Sequence, residues 1–223
     1  MIIAEPTSTE DAVALQDYFE QLARQSITFL DSLPIELTPQ PLAYALESLA
    51  PAVEVMRTSG LRQLRAIARP EPLNTEVRST GVGLNTVGML TDRFTILLIK
   101  EWSLRHKGTP NPAKADALFE NQTRDIIAAL ALARPGSSSL NSKITSLRSS
   151  ASAADWSEAF WGLLTTNLLM WESQEMLYIR DISTAPYEEL RAYIAWFSKS
   201  NIQRNDYIEL SEKRYWQISG GCA

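Results

Sequence analysis

The chain has 223 residues, 45% of them hydrophobic, with a formal charge of −5 and a pI near 5.1. That length supports one sizeable core without demanding a second domain, and an acidic balance with no cluster of Lys and Arg excludes a sequence-independent nucleic-acid binder. The single cysteine, Cys222, excludes an internal disulfide and a multi-cysteine zinc site.

In chain order, Met1 to Glu10 carries acid and proline where a signal peptide has a basic flank and a long apolar core. Thr7-Ser8-Thr9-Glu10 has the form of a capping box, and the spacing of Val13, Leu15, Phe19, Leu22, Ile27 and Leu30 predicts a helix to about Asp31. Pro34, Pro39 and Pro41 break it and restart a second helix at Pro41. Pro51 and Gly60 interrupt that segment, and a short helix ends at Pro70. Pro70 to Gly83 is polar and reads as a loop.

Leu84 to Lys107 is apolar almost all round, with Phe94, Leu97, Leu98 and Trp102 on one side and Ile96 and Ile99 on another. Two apolar faces predict the central helix of a bundle. Its apolar run, Phe94 to Ile99, is far too short to cross a bilayer. Gly108-Thr109-Pro110 ends it, and Pro112 to Ala133 forms the next helix. The stretch 135–154 is rich in Ser and Ala and reads as a connection or a loose helix. Two long helices follow, about Asp155 to Asp181 and Pro186 to Ile218, joined by a short turn.

No stretch alternates β-branched and polar residues, so the expected fold is all-α, a single bundle of six or seven helices without a sheet. An N-terminal helical region, 1–70, packs on a core at 84–218 carried by the last four helices. The expected location is the cytoplasm, with neither membrane nor nucleic acid as partner.

The last two helices carry apolar stripes interrupted by polar residues. Phe160, Leu164, Trp171 and Tyr178 share a face with Asn167 and Glu175, and Leu190, Ile194, Phe197 and Ile208 share one with Asn201, Asn205 and Glu212. Counting back from a pivot near Ser183 sets Asn167 opposite Ser200 and Asn201, Trp171 near Trp196 and Glu175 near Arg191, with Arg204 at the edge. Asp92, Arg93 and Lys100 of the central helix are candidate partners. Buried amides and carboxylates left unpaired cost roughly 1–3 kcal/mol each, so a sequence that gathers them has paired them. The layer Asn167, Asn201, Arg204, Asn205, Asp92, Lys100 and Trp171 is therefore either a register-fixing network or the lining of a pocket for a small polar ligand.

Other chemistry has thinner support. Glu172 with Glu175, and Glu209 with Glu212, are Glu-x-x-Glu pairs of the kind that hold Mg²⁺ or Mn²⁺ in all-α nucleotide pyrophosphohydrolases. Their levels on antiparallel helices lie several turns apart, so a shared site is not expected, and no cofactor is predicted outside that reading. His106, the only histidine, sits in a last helical turn, where it suits the dipole and no Ser-His-Asp set has support. Gly81-Val82-Gly83 with Gly88 lacks the strand and the Gly-Lys-Ser/Thr of a phosphate loop and reads as a flexible entry to the central helix. Gly220-Gly221-Cys222-Ala223 reads as a frayed polar tail.

Gly88-Met89-Leu90-Thr91-Asp92-Arg93-Phe94-Thr95-Ile96-Leu97-Leu98-Ile99-Lys100, together with Asn167 to Glu172 and Asn201 to Asp206, resembles the motif series of a bacterial all-helical family of unknown function. Its members tend to be encoded beside glycosyltransferase and surface-polysaccharide genes. The resemblance spans about 88–216 and departs from the pattern at Met89, Arg93 and Met170 and in the order of the Asn and Arg cluster. It implies an all-helical domain and a link to glycan assembly, and it brings no catalytic residues. The expected role is a non-catalytic accessory protein that binds a small polar ligand or a partner protein in a bacterial biosynthetic pathway. The alternatives are a divalent-cation-dependent hydrolase of phosphate esters or nucleotides, and a homodimeric interaction subunit.

Overall fold

A computed structural model describes residues 9–32, 61–62, 86–108, 110–131, 151–179 and 181–217. Among the described residues there are five long helices and no strand: α1 (Thr9–Asp31), α2 (Val87–Lys107), α3 (Pro112–Ala131), α4 (Trp156–Ile179) and α5 (Tyr187–Gln217). A single 3-10 turn, Ile182–Thr184, links the last two. The helix expected from Pro41, all but the helical Leu61 and Arg62 of the one ending at Pro70, the following loop, most of the Ser/Ala-rich stretch and the Gly220 tail lie outside the described residues.

The helix starts follow local chemistry. Thr86 caps α2 by accepting a hydrogen bond from the Met89 N–H at 3.2 Å, and Asn111 caps α3 through the Lys114 N–H at 3.1 Å, with Pro112 in the first turn. Asp155 caps α4 by accepting from the Glu158 N–H at 2.8 Å, while the Glu158 carboxylate reaches back to the Ala154 N–H at 2.7 Å. Gly108 ends α2 at a φ of 81°, a conformation that suits a residue without Cβ. Asp181 caps the 3-10 turn, and two hydrogen bonds from Ser183 hold its carboxyl below the usual range.

Helix α2 packs against all four other helices, as its two apolar faces predict. Its Leu90, Phe94, Leu98, Ile99 and Trp102 are buried in the main core with Phe160, Leu164 and Leu168 of α4. The core also takes in α1, which packs against α2 and α4. Leu15, Phe19, Leu22 and Leu30 are buried, and the Phe19 ring meets Phe94 at 6.2 Å and Trp156 at 6.0 Å, both edge to face. Burying each such side chain contributes roughly 1.5–3 kcal/mol, so α1 is integral to the bundle.

Helices α4 and α5 are antiparallel, with Gly162 against the Tyr207 ring, less than one helical turn from the level counted back from the turn. Two aromatic or aliphatic stripe residues depart from expectation: Tyr178 is 81% exposed and Ile194 63% exposed. Tyr193, one position earlier, is buried in the place assigned to Ile194 and anchors a second cluster with Leu177, Leu190, Trp196 and Phe197. The stripe drifts because the hairpin leaves the main core near its turn. There α4 and α5 pack chiefly on each other, and Tyr178 and Ile194 fall outside the seam.

Candidate functional site

The polar layer forms where α2, α4 and α5 meet, and it is filled. Asp92 on α2, with only 4% of its side chain exposed, accepts the Arg204 Nε–H at 2.8 Å on Oδ1 and the Arg204 Nη2–H on Oδ2, a bidentate pair. Oδ1 also accepts from Asn167 Nδ2 at 3.0 Å. The same amide donates to Thr95 Oγ1 at 2.9 Å, and the Thr95 hydroxyl donates to the Asp92 carbonyl at 2.9 Å. Both carboxylate oxygens thus hold charged or amide donors, and three helices are tied at one level.

Three of the seven expected layer residues, Asp92, Asn167 and Arg204, are brought together. Thr95 completes the set and escaped the sequence reading. Its signal was Asp92-x-x-Thr95, two polar residues one turn apart inside an apolar helix. Trp171 stands one step further along, donating Nε1–H to Ser103 Oγ of α2 at 3.3 Å rather than meeting Trp196. Asn205 is half-buried beside Arg204, while Asn201 is exposed, where its short amide lacks the reach that the Arg204 side chain has. Lys100 is not in the layer. Eight residues after Asp92 on a helix is a rotation of roughly 80° beyond two full turns, and its ammonium lies 6.0 Å from the Phe119 ring centroid of α3. Arg191 pairs with Glu188 of its own helix at 3.6 Å.

A second buried contact joins α2 to α5. The Glu212 carboxylate accepts the Gly88 N–H at 2.8 Å and the Trp216 Nε1–H at 2.7 Å. Gly88 is the second residue of α2, so Glu212 satisfies one of the unpaired amides of a helix start and places negative charge at the positive end of the dipole. Gly88 is therefore an ordered docking point, not the flexible entry expected from its neighbouring glycines. We expect Glu212→Gln to cost about 1–2 kcal/mol, because one amide oxygen cannot serve both donors as two carboxylate oxygens do. Urea denaturation followed by tryptophan fluorescence measures this, and an unchanged midpoint contradicts it.

The two Glu-x-x-Glu pairs do not converge. Glu212 is committed to Gly88 and Trp216, Glu209 is exposed, Glu172 is fully buried and Glu175 half-buried. Among the described residues no group of three His, Cys, Asp or Glu stands close enough to share a metal ion. His106 packs its ring against Trp102, with centroids 5.1 Å apart, and Nδ1 lies 3.1 Å from the Trp102 carbonyl oxygen. Its Nε2 is 3.9 Å from Asp31 at the end of α1, which ties together the ends of two helices.

A groove of about 480 Å³ lies between α1, α2 and α3 and is lined by Glu20, Arg24, Glu101, Arg105, Glu120 and Arg124 among others. Each arginine pairs with the glutamate four residues before it on its own helix, so the rim is self-neutralising. Burial pushes the Glu101 carboxyl up; Arg105 opposes this and Asp116 adds to it. A raised carboxyl value means that the folded chain holds this proton more firmly than the unfolded one, so stability falls as pH rises from about 4.5 through the folded value. Glu101→Gln is thus expected to raise the melting temperature relative to the parent at pH 7, with the advantage fading below pH 4.5. An advantage that grows on acidification contradicts this.

No family model, curated protein or solved structure matches this chain. No helix among the described residues is long and apolar enough to cross a membrane.

Proposed function

We propose that the chain is a non-catalytic helical-bundle protein that acts by binding a partner protein, with the tip of the α4–α5 hairpin as the contact face. The observation that carries this reading is where the apolar surface lies. Tyr178 is 81% exposed, Tyr187 75%, Ile194 63% and Ile182 46%, all on one hairpin and around the second cluster. Exposed aromatic side chains grouped in this way suit an interface, since Tyr supplies large contact area at low entropic cost. The polar layer supports the same reading by exclusion. Both oxygens of the Asp92 carboxylate and the Asn167 amide nitrogen are engaged internally, and none of the described grooves is lined by Asp92, Asn167 or Arg204. A place in a bacterial biosynthetic pathway, and a tie to glycan assembly, rest on the resemblance over 88–216 and belong to the proposal.

A photo-crosslinking amino acid at position 187, compared with one at position 121 on the exposed face of α3, tests the contact in cells. The expected result is one discrete adduct from position 187 that disappears when Tyr178→Ser is added, and no adduct from position 121. An adduct at twice the mass of the chain identifies the partner as a second copy. Equal labelling from both positions, or none from 187, overturns the reading.

A further inference from the structure

The exposed apolar residues of α5 fall on one stripe. Tyr187 and Ile194, 75% and 63% exposed, are seven residues apart, which is about 20° short of two full turns and about 10 Å along the axis. Arg191 lies between them, about 40° to one side of Tyr187, and Glu188 stands further round on that same side. These two side chains are 70% and 77% exposed and meet each other loosely, at 3.6 Å. On the opposite side Leu190 is half-buried and packs on the Tyr193 cluster. The stripe is therefore apolar at both ends, with a charge of each sign along one flank.

Such a stripe is complementary to itself when two copies pack antiparallel about a twofold axis, since residue i then meets residue j and j meets i. The register that sets Tyr187 of each copy against Ile194 of the other puts the axis midway, between Leu190 and Arg191. In that register Arg191 lies level with Leu190 of the second copy, and Glu188 of the second copy is two residues, about 3 Å, further along the axis. The twofold brings the same flank of both helices together, so the contact between Arg191 and Glu188 forms twice. The apolar match and the charge match thus select the same axis. An exposed ion pair within one helix is worth little in water, and exchanging it across the seam keeps every charge paired.

We infer that what covers the hairpin tip is a second copy of this chain, joined through the α5 stripe in this register. The inference rests on the tip being a contact face and adds the identity of its occupant. The seam spans about two turns of each helix, so the dimer belongs to the weak end of specific interfaces.

Sedimentation velocity of the full chain across a dilution series up to about 200 µM tests it, with a monomer–dimer equilibrium expected at a Kd on the order of tens of micromolar. Arg191→Glu or Glu188→Arg alone sets like charges against each other at two places in the seam and is expected to weaken the dimer at least about tenfold. Combining the two changes restores opposite charges and is expected to bring the Kd back to within about threefold of the parent. Both side chains are exposed, so the melting temperature of the dilute monomer should hold in all three variants. Arg191→Gln removes one charge without adding repulsion and is expected to weaken the dimer about threefold, which keeps the test open where a reversal disturbs the start of α5. A chain that stays monomeric throughout overturns the inference. So does a dimer that the single reversals leave intact, or one that the combined change fails to restore. A monomeric chain that still gives one discrete adduct with a different protein from position 187 overturns this inference alone and leaves the contact face standing.

Discussion

Gly88→Ala is expected to destabilise the bundle by about 3 kcal/mol, against the gain of roughly 1 kcal/mol that glycine-to-alanine changes give inside an exposed helix. A Cβ at this position falls 2.2 Å from the backbone oxygen of Ile208 and 3.2 Å from an Ile208 side-chain carbon. Backbone cannot rotate away, so α2 and α5 must separate. Separation also lengthens the Glu212 hydrogen bond to the Gly88 N–H, which the close approach makes possible. Gly162→Ala provides the comparison. Its Cβ meets the Tyr207 ring at 2.2 Å, a side chain that can turn, so a smaller loss of about 1–2 kcal/mol is expected. Urea unfolding of both variants checks the order, and a Gly88→Ala protein as stable as its parent contradicts the close packing of α2 on α5.

Asp92→Ala is expected to cost about 3 kcal/mol or more, because it strips partners from both Arg204 and Asn167 at once. The Arg204 side chain is 26% exposed, so water recovers part of its loss, whereas Asn167 is buried and recovers little. Asp92→Asn should fall between parent and alanine variant, since it retains an acceptor but gives up the charge that strengthens both Arg204 contacts. Thermal or urea denaturation ranks the three, and equal loss in the alanine and asparagine variants would mean that the charge, not the hydrogen-bonding shape, carries the layer.

Much of the fold was legible from spacing and breakers. The limits of α2, α3, α4 and α5 lie within about three residues of the expected ones because Thr86, Gly108, Pro112, Asp155 and Pro186 each punctuate the chain by a local mechanism. The long-range parts were legible only where a side chain had one place to go. Asn167 and Asp92 sit in apolar helices, so burial was forced and pairing followed. Arg204 was placed correctly at the edge because its length spans the gap to α2. Asn201 and Lys100 were misplaced for a shared reason: level along the axis was counted, while rotation about the axis decides which neighbour a side chain meets. Glu212 illustrates the remaining gap. Nothing near it in sequence announces that its partner is the backbone of Gly88, 124 residues away. The same holds for α1, whose Phe19 enters the core only through rings contributed by α2 and α4.

The polar layer locks three helices through paired side chains rather than opening as a pocket, and a double-mutant cycle on Asp92 and Arg204 measures this most directly. Unfolding free energies of the parent, Asp92→Ala, Arg204→Ala and the double variant should give a coupling of about 2 kcal/mol, as a bidentate pair on a buried carboxylate requires. A coupling below about 0.5 kcal/mol, the level of additive, unconnected sites, would contradict it.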